Sequence, residues 1–427
     1  MKLRCLIFFP LLMTCFAYCY LPCKSNNEFV VPVDYPTIQD AVNMAPPYSV
    51  IYVNSGVYQE RLTIDKPLFI RGITGATVVI VSEDDIDIIT IASSNVTISN
   101  FIIRRSTNSS SKSAGVRLSN VSYCIIENNT IVGNFIGVLI EGGSFNTVQD
   151  NVITVNRYGV FVRRYQHDMA SYSNIISNNL IANNSWNGIE IDWGGGNIVC
   201  ANTISYNFAF GLEIPDYTPS LENVIFHNNF IGNADAFGKI YQAYAPENNY
   251  WNFSGEGNYW DDFCGADADF DAVSDLPYRL NRNVVDYFPL MGIFRTFNIC
   301  DSSVNIISNA SVCELNCSVS DYKSQSFVIN LFISSNDEWF ARISLPESSF
   351  SFSSLEVNGN FFECKNFTEN ASYVNLYFNL PTGVYVIRIY GLFVDEHSLF
   401  SMFIVMLVSS ILLCVMKVWR GIKTAKA

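Results

Sequence analysis

The segment "IENNTIVGNFIGVLI", residues 126–140, indicates a repeat protein, because its pattern of amides, aliphatic residues and a glycine returns in three later segments. The glycine that opens the last apolar run of each repeat falls at positions 115, 137, 159, 188 and 211, in steps of 22, 22, 29 and 23 residues. A period in the low twenties is typical of a solenoid built from one repeating supersecondary unit.

The repeats have the spacing of strands rather than of helices. Their apolar residues alternate over three to five positions, and no ten-residue helical pattern interrupts them. Leucine-rich repeats share the period but need leucine at fixed places, whereas isoleucine, valine and asparagine dominate here. The sequence therefore predicts an all-β chain whose main part is a right-handed parallel β-helix, with three short strands and three turns per coil.

The recurring asparagines are predicted to be structural. Coils stack at about 4.8 Å, so equivalent residues form ladders in which side-chain amides bond to each other. Asparagine also tolerates the left-handed backbone that a sharp turn requires. The predicted ladder members are Asn100, Asn129, Asn151, Asn179, Asn202 and Asn229.

Two apolar segments near the ends predict where the protein is located. Residues 1–23 carry Lys2 and Arg4 and then an apolar run, as a secretory signal peptide does, with an uncleaved anchor as the alternative. Residues 397–419 are long enough for one transmembrane helix, and the basic tail 420–427 predicts a cytoplasmic end. We therefore expect a single-pass cell-membrane protein with most of the chain outside.

The composition agrees with an extracellular location. The 427 residues carry a formal net charge of −14, which becomes −20 without the six basic residues of the two end segments. Such acidity favours solubility and argues against nucleic acid as a partner. Ten N-x-[ST] sequons give weaker support: Asn95, Asn108, Asn120, Asn128, Asn183, Asn252, Asn309, Asn316, Asn366 and Asn370.

Three regions are predicted between the end segments. Residues 24–245 form the β-helix, and "TIQDAVNMA" near its start predicts a short helix that caps the open end of the solenoid. Residues 246–296 form an aromatic and acidic C-terminal cap. Residues 297–392 contain short alternating strands, which predict a small immunoglobulin-like β-sandwich.

The opening, the Asn-rich coils and the ending "GNYWDDF…DADFDAVSDLPY…VVDYFPLM" together resemble a known family. They are similar to NosD-type, carbohydrate-associated (CASH-like) right-handed β-helix proteins of the pectin-lyase-like superfamily, over about residues 33–292. The resemblance implies a periplasmic or cell-surface protein linked to sugar binding or hydrolysis or, as in NosD itself, to copper-enzyme maturation. Because this scaffold hosts many activities, individual residues must decide between them.

Copper would require clustered histidine, methionine or cysteine side chains. The three histidines, His167, His227 and His397, are far apart in sequence. Cys124 and Cys200 lie three coils apart by the repeat register, about 14 Å at the stacking distance, and this is too far for a bridge or a shared metal. We expect both thiols to be free and copper to have no role here.

Calcium fits the sequence better. "DADFDAVSD" places four aspartates at positions one, three, five and nine of an EF-hand-like loop, with the carbonyl of Val273 available. Ala272 replaces the usual glycine and Tyr278 the usual glutamate, so Asp261 or Asp262 would supply the missing oxygen. A solvated acidic loop is the alternative to a calcium site at Asp267, Asp269, Asp271 and Asp275.

The repeat register also places carboxylates together on the outer face. Glu190 and Glu213 each lie two residues after a repeat glycine, hence one coil and about 5 Å apart, with Asp192 beside them. A carboxylate pair at about 5–5.5 Å suits retaining glycoside hydrolysis, and such proximity raises one of the two pKa values. Glu141, Arg163 and Asp192 each lie four residues after a repeat glycine and so share a second row. The alternative is a solvated acidic ladder paired with Arg163.

Two insertions lie where they would wall a groove over these carboxylates. "RRYQHDMASYS" and "PDYTPSL" both follow the glycine-led strand, and loops on one side of a solenoid commonly border its binding face. Packing of the loops is the alternative role for the same side chains. The predicted substrate-binding residues are Tyr165, His167, Trp193, Asp216 and Tyr217.

Three functions remain open from the sequence. A surface module that binds polysaccharide or glycoprotein glycans is favoured, because no full signature of a polygalacturonase, pectate lyase or pectin methylesterase is present. A glycoside hydrolase or lyase that uses the Glu190, Asp192 and Glu213 cluster is the second, and a structural envelope component is the third.

The membrane-proximal cysteines predict disulfides. Outside the cell, Cys300, Cys313, Cys317 and Cys364 form an even set. A Cys317–Cys364 bridge would join two strands of the sandwich, which leaves Cys300 for Cys313 or for Cys264.

Overall fold

The computed structural model describes residues 27–106, 113–165, 170–218, 220–233, 242–299, 302–321, 326–335, 337–369 and 373–394. The predicted signal peptide, the predicted transmembrane segment and tail, His167 and His397 lie outside these residues. Among the described residues, none belongs to a helix long and apolar enough to cross a membrane. Two compact units are formed, unit 1 by the chain up to Asn197 together with 217–220, and unit 2 by 198–216 and the chain from Leu221 onward.

Unit 1 consists of one short helix and a series of short strands. The helix α1 spans Ile38–Met44. The strands are β1 (Glu28–Val31), β2 (Ser49–Val53), β3 (Gly56–Gln59), β4 (Leu62–Ile64), β5 (Leu68–Gly72), β6 (Val78–Ser82), β7 (Ile89–Ile91), β8 (Thr97–Ser99), β9 (Ile102–Arg105), β10 (Ala114–Ser119), β11 (Ile125–Glu127), β12 (Thr130–Val132), β13 (Ile136–Glu141), β14 (Thr147–Gln149), β15 (Val152–Thr154), β16 (Tyr158–Arg163), β17 (Ser171–Tyr172), β18 (Ile175–Ser177), β19 (Leu180–Ala182), β20 (Ile189–Asp192) and β21 (Gly194–Gly195).

The strands of unit 1 stack into three parallel sheets. Their orders are β1-β2-β5-β8-β11-β14-β18, then β3-β6-β9-β12-β15-β19, then β4-β7-β10-β13-β16-β20. Each sheet takes every third strand along most of the chain, so three strands and three turns make one coil. The predicted parallel β-helix is thereby confirmed.

Aliphatic side chains fill the interior of the coils. Equivalent inward positions of successive coils hold Ile98, Ile126, Val148 and Ile176 in one sheet, all without exposed surface. A second sheet stacks Ile103, Ile131, Ile153 and Ile181 in the same way. Since parallel strands hold every other residue against the core, the alternate residues form the outer face.

The predicted N-terminal helix is present and carries two caps. The hydroxyl oxygen of Thr37 accepts a hydrogen bond from the backbone N–H of Asp40 at 3.0 Å. The carboxylate of Glu60 accepts from the N–H groups of Ile38 and Gln39, at 3.0 and 2.9 Å. The buried side chains of Ile38, Ala41 and Val42 pack α1 against the first coil.

The asparagine ladders are real, but they occupy different residues from those predicted at two positions. Asn129 donates its side-chain amide to Asn151, and Asn151 donates to Asn179, at 3.1 and 3.0 Å between nitrogen and oxygen. Asn100 is not a member. In its coil the ladder position is held by Phe101, whose backbone N–H donates to the side-chain oxygen of Asn129 at 3.0 Å. Two further corners carry ladders, Asn134–Asn156–Asn184 and Asn146–Asn174–Asn197.

The left-handed corner and the amide ladder, which were predicted for a single asparagine, belong to two adjacent residues. The residue before each ladder position has a positive φ and faces solvent, as at Asn100, Asn128, Asp150 and Asn178. The ladder amide that follows is buried and bonds to backbone carbonyls of the neighbouring coil. The left-handed corner and the amide ladder are therefore separate requirements on neighbouring positions.

Unit 2 begins with short strands of the same type and ends in longer antiparallel ones. The strands are β22 (Ile198–Cys200), β23 (Thr203–Ser205), β24 (Leu212–Glu213), β25 (Val224–Phe226), β26 (Asn229–Ile231), β27 (Ala243–Tyr244), β28 (Tyr259–Trp260), β29 (Tyr278–Arg279), β30 (Val285–Asp286), β31 (Ile293–Ile299), β32 (Ser302–Ser308), β33 (Ser311–Asp321), β34 (Ser326–Ser335), β35 (Trp339–Pro346), β36 (Phe350–Val357), β37 (Asn360–Phe361), β38 (Lys365–Glu369), β39 (Tyr373–Leu380) and β40 (Gly383–Phe393).

In unit 2 the ladder continues through Asn228 rather than the predicted Asn229. Asn202 donates to Asn228, and Asn228 donates to Asn258, at 2.9 and 3.0 Å. Asn229 pairs in register with Thr203 on β23, and its side-chain amide clamps the backbone N–H and C=O of Phe294 at 2.8 and 2.9 Å. The sequence "HNNF" offers two adjacent amides, and only one of them points inward.

The ladder of unit 2 ends on a carboxylate in the aromatic cap. Asp286 accepts the backbone N–H of Asn258 at 2.8 Å and the indole N–H of Trp260 at 3.0 Å. Burial raises the pKa of Asp286 to about 6, against the hydrogen bonds that lower it. Trp260 stacks on Phe230 and on Tyr278, so the region predicted as a cap encloses an aromatic core.

Two five-stranded antiparallel sheets complete unit 2 as a sandwich, with orders β31-β32-β35-β39-β38 and β33-β34-β40-β36-β37. Both sheets contribute to one buried cluster that includes Ile306, Leu331 and Ile389.

The predicted Cys317–Cys364 bridge is wrong, because Cys364 is a free thiol while Cys317 is in a disulfide. Cys264 is free as well, so it does not pair with Cys300. The loop length between two cysteines does not determine which of them meet in space. Cys124 and Cys200 are free thiols, as predicted.

Candidate functional site

The outer face of the third sheet of unit 1 carries a row of alternating charges. Arg117 contacts Asp87 at 2.5 Å and Glu141 at 2.7 Å between nitrogen and oxygen. Arg163, from the next coil, contacts the other oxygen of Glu141 at 2.6 Å. The strand register that the glycine spacing predicted is confirmed, since Glu141 pairs with Arg163 and Arg163 with Asp192. Each member is one coil from its neighbour, so the row follows the stacking direction.

Asp192 ends this row without the partner that its position suggests. Arg163 is occupied by Glu141, and Oδ1 of Asp192 is buried without a hydrogen bond to the described residues. Burial raises the pKa of Asp192, and the charges of Arg164 and Arg163 act in the opposite direction. A half-buried carboxylate with an unused acceptor and two nearby arginines has the groups that a polar ligand could bond to.

Trp193 and the second insertion lie beside Asp192. The guanidinium carbon of Arg164 is 3.9 Å from the centre of the Trp193 ring. The backbone of Trp193 has a positive φ of 64°. The hydroxyl oxygen of Ser220 accepts the backbone N–H of Gly194 at 3.0 Å, so Ser220 lies against the strand end. The side chain of Tyr217 is 75% exposed. We call Arg163, Arg164, Asp192, Trp193 and residues 217, 218 and 220 the Asp192 face.

Two other predicted residues of unit 1 have less open positions. Glu190 faces the side predicted but is only 8% exposed, and it accepts the side-chain amide of Asn187 at 2.8 Å. Tyr165 is half-buried and lies two residues after the end of β16. Glu190 is therefore covered, whereas Asp192 retains an unused oxygen.

The remaining predicted residues, Glu213 and Asp216, lie in unit 2. The hydroxyl of Tyr244 donates to the carboxylate of Asp216, and Tyr244 pairs in register with Glu213. The pKa of Tyr244 is raised to about 12, first by the hydrogen bond to Asp216. Sequence reasoning missed Tyr244 because no repeat glycine precedes it.

The acidic loop brings three of its four predicted ligands together. One oxygen from each of Asp267, Asp269 and Asp271 lies within 4.8 Å of the others. Asp275 instead accepts the backbone N–H of Ala268 at 2.8 Å. Burial is the main cause of the raised pKa values of Asp267 and Asp271.

Neither candidate for the missing loop oxygen is free of other bonds. Asp261 accepts the backbone N–H of Gly232 at 2.8 Å, and Asp262 accepts the hydroxyl of Tyr278 at 3.1 Å. Two cations of the sandwich also reach the loop: Arg342 donates to the carbonyl of Asp271 at 3.0 Å, and Lys365 to that of Phe270 at 3.2 Å.

Among the described residues, no histidine or cysteine belongs to a group of three possible metal ligands. His227 bonds to Glu256 and stacks on Phe294 with 4.1 Å between ring centres. Burial raises the pKa of both Cys124 and Cys200 to about 11, which disfavours the thiolate that binds metal. In the part of the chain that the structure covers, the group of three His, Cys, Asp or Glu side chains close enough to share an ion is the aspartate trio. The expectation against copper stays a prediction, because His167 and His397 are not described.

The stacked coils of three strands each define a parallel β-helix protein. The family described as "Periplasmic copper-binding protein (NosD)" matches residues 49–265, which is 217 of the 427 residues. The chain belongs to the NosD family.

Individual proteins match smaller parts. The Cell surface glycoprotein of Methanothermus fervidus is 31% identical over 227 residues, 53% of this chain and 32% of that protein. The Probable ABC transporter binding protein NosD of Pseudomonas aeruginosa is 38% identical over 65 residues, 15% of this chain and 14% of that protein. The chain thus spans about a third or less of these relatives. The pectin methylesterase of Aspergillus niger has 15% identity and a TM-score of 0.31 over 52% of this chain and 91% of its own.

Proposed function

We propose that this protein is a cell-surface β-helix protein that binds glycans on the Asp192 face. The observation that carries the proposal is the buried, unused Oδ1 of Asp192 beside Arg163, Arg164 and Trp193. An unpaired acceptor of this kind suits a sugar hydroxyl, and the arginines supply donors to further oxygens. The aromatic rings of Trp193 and Tyr217 would cover the apolar face of the sugar.

The relative named Cell surface glycoprotein supports the surface location. So do the sequons of unit 1, because those at the described residues Asn95, Asn120, Asn128 and Asn183 are all exposed. We propose that the signal peptide, the single C-terminal membrane helix and an immunoglobulin-like stalk place the coils outside the cell. A structural role in the envelope would use the same placement without a ligand.

A polysaccharide-active enzyme is the second candidate, and the raised pKa of Asp192 favours it. A carboxyl that holds its proton longer than usual suits a general acid. Glu190, the other predicted carboxylate of unit 1, is only 8% exposed and is therefore a weak partner for Asp192. This candidate differs from simple binding in that the glycan would be cleaved.

Trp193→Ala should abolish retention of the full-length protein on its glycan, while the free energy of unfolding changes little. Loss of the Arg164–Trp193 contact costs about 0.5–1 kcal/mol at such a site, too little to unfold a solenoid. A glycan array read with wild type, Trp193→Ala and Asp192→Asn is the measurement. Tyr123→Ala, which removes an exposed aromatic elsewhere on unit 1, is the matched control and should bind as wild type does.

Loss of binding by Tyr123→Ala as well, or retention by Trp193→Ala, would contradict the proposal. Release of reducing ends by wild type and not by Asp192→Asn would replace binding with hydrolysis.

We also propose that Asp267, Asp269 and Asp271 hold a calcium ion. Carboxylate oxygens converging within 4.8 Å support this, and the raised pKa values of Asp267 and Asp271 would fall when a cation binds. Millimolar calcium should raise the unfolding temperature of the wild type and not of Asp269→Asn, an exposed member whose loss leaves the loop hydrogen bonds intact. An equal rise for both proteins would mean that the calcium effect does not come from this trio, and no rise for either would contradict the proposal.

A further inference from the structure

A cleft on another sheet of unit 1 contains an arginine that the Asp192 face does not use. Its cavity has a volume of about 360 Å³, and its walls are formed by Tyr52, Arg71, Ser99 and Glu127. These four residues occupy the same outward position on β2, β5, β8 and β11, as the pairings Tyr52–Arg71, Arg71–Ser99 and Ser99–Glu127 show. A small buried serine between two long side chains creates the gap.

Arg71 lacks a partner that comparable arginines of unit 1 have. Its Nε is buried and has no hydrogen bond within the described part of the chain. Arg117 and Arg163, by contrast, each contact a carboxylate at 2.7 Å or less. A buried N–H without an acceptor is costly, so a guanidinium in an open cleft favours an anion that enters from solvent.

The opposite end of the cleft is acidic. Oε2 of Glu127 accepts the side-chain amide of Gln149 at 3.0 Å. Asp150 lies close enough to Glu127 for that negative charge to raise its pKa, after the larger effect of burial. Two carboxylates together favour a cationic group over a neutral hydroxyl.

The spacing sets the size of the occupant. Arg71 and Glu127 are two coils apart, about 9.6 Å along the stacking direction. A ligand held at about 2.9 Å by a side chain at each end therefore has its own charges only a few ångströms apart. The cavity volume suits a small molecule rather than a polymer.

We propose that this cleft binds the zwitterionic head of an α-amino acid, with the carboxylate on the guanidinium of Arg71 and the ammonium group on Glu127. Ser99 leaves the space for the Cα atom, and the ring of Tyr52 borders the carboxylate end. The site is independent of the glycan proposal, because no residue is shared with the Asp192 face. An amino acid linked to a surface polymer presents the same chemistry as a free one only if its amino and carboxyl groups are both unblocked.

Titration calorimetry of the full-length protein tests the proposal with L-alanine, acetate and ethylammonium as probes. L-alanine should bind at least tenfold more tightly than either single-charge probe, because only the zwitterion meets both ends. Arg71→Gln and Glu127→Gln should each weaken L-alanine binding at least tenfold, and Arg71→Lys should weaken it less. Arg104→Gln, which removes an exposed arginine on β9 outside the cleft, should bind L-alanine unchanged.

Two results would overturn the proposal. Acetate that binds as tightly as L-alanine would make this an anion site, and no heat with any probe would mean that solvent alone occupies the cleft. Unfolding midpoints of the variants show whether a loss of binding is a loss of fold. N-acetyl-L-alanine, which lacks the ammonium group, separates a free amino acid from a blocked one.

Discussion

Asn151→Ala should destabilise unit 1 by roughly 2–6 kcal/mol, because at least two buried groups each lose a partner worth about 1–3 kcal/mol. The side chain of Asn151 accepts the N–H and amide of Asn129 at 3.0 and 3.1 Å. It donates to the carbonyls of Ile126 and Gln149, both at 2.8 Å. Alanine cannot replace any of these bonds, and Asn151 is only 1% exposed to solvent. Urea unfolding measures the loss.

Asn178→Gly is the matched control for the ladder. Asn178 lies at a neighbouring corner, is exposed and has a φ of 56°, a conformation that glycine adopts at least as readily. The unfolding free energy of the Asn178→Gly variant should stay within about 0.5 kcal/mol of that of the wild type. Similar losses for both variants would mean that the corner conformation, and not the buried amide network, is the main source of stability.

Glu256→Gln should destabilise unit 2 by about 3–5 kcal/mol, the usual effect of breaking a buried ion pair from one side. Glu256 bonds to His227 and to the guanidinium of Arg342, a residue that is only 2% exposed. Glutamine would leave that guanidinium buried without a negative charge. Urea unfolding followed by the fluorescence of the buried Trp251 and Trp260 reports on this unit.

The pH dependence of the same variant checks the cause. Although burial alone would raise it, Arg342 and His227 lower the pKa of Glu256 to about 2 from an ordinary 4.5. A depressed carboxyl pKa stabilises the fold above the ordinary value and loses that effect as the pH falls towards the folded value. The difference between wild type and Glu256→Gln should therefore be full above pH 4.5 and shrink towards pH 2.

An exposed ion pair of the same sandwich serves as the control. Arg388 and Glu356 are 3.9 Å apart and both are partly open to solvent, so Glu356→Gln should change the unfolding free energy by less than about 1 kcal/mol. A loss of similar size at Glu356, or one that does not depend on pH at Glu256, would contradict the buried-pair explanation. Asp286 titrates in both proteins alike, so its raised pKa cancels in the comparison.

The candidate site was only partly predictable. The glycine spacing identified which residues share a row, and the register of Glu141, Arg163 and Asp192 is as predicted. It did not show that Glu141 would take Arg163 and leave Asp192 without that partner, or that Asn187 would bond to Glu190. Register determines which coil a residue belongs to, whereas side-chain rotamers and neighbouring segments determine which side chains come into contact.

The repeat spacing is sufficient to predict the coils: steps of mostly 22 or 23 residues with strand alternation leave a three-sided parallel β-helix, since every coil must bury its aliphatic residues against the next. The spacing does not show which of two adjacent amides turns inward, as at Asn228 and Asn229, because this depends on one backbone φ at the preceding corner. Nor does it show that Arg342 meets Glu256 across 86 residues, or that Cys317 does not meet Cys364. Residue spacing predicts the local repeat, but contacts between distant segments depend on how whole sheets pack.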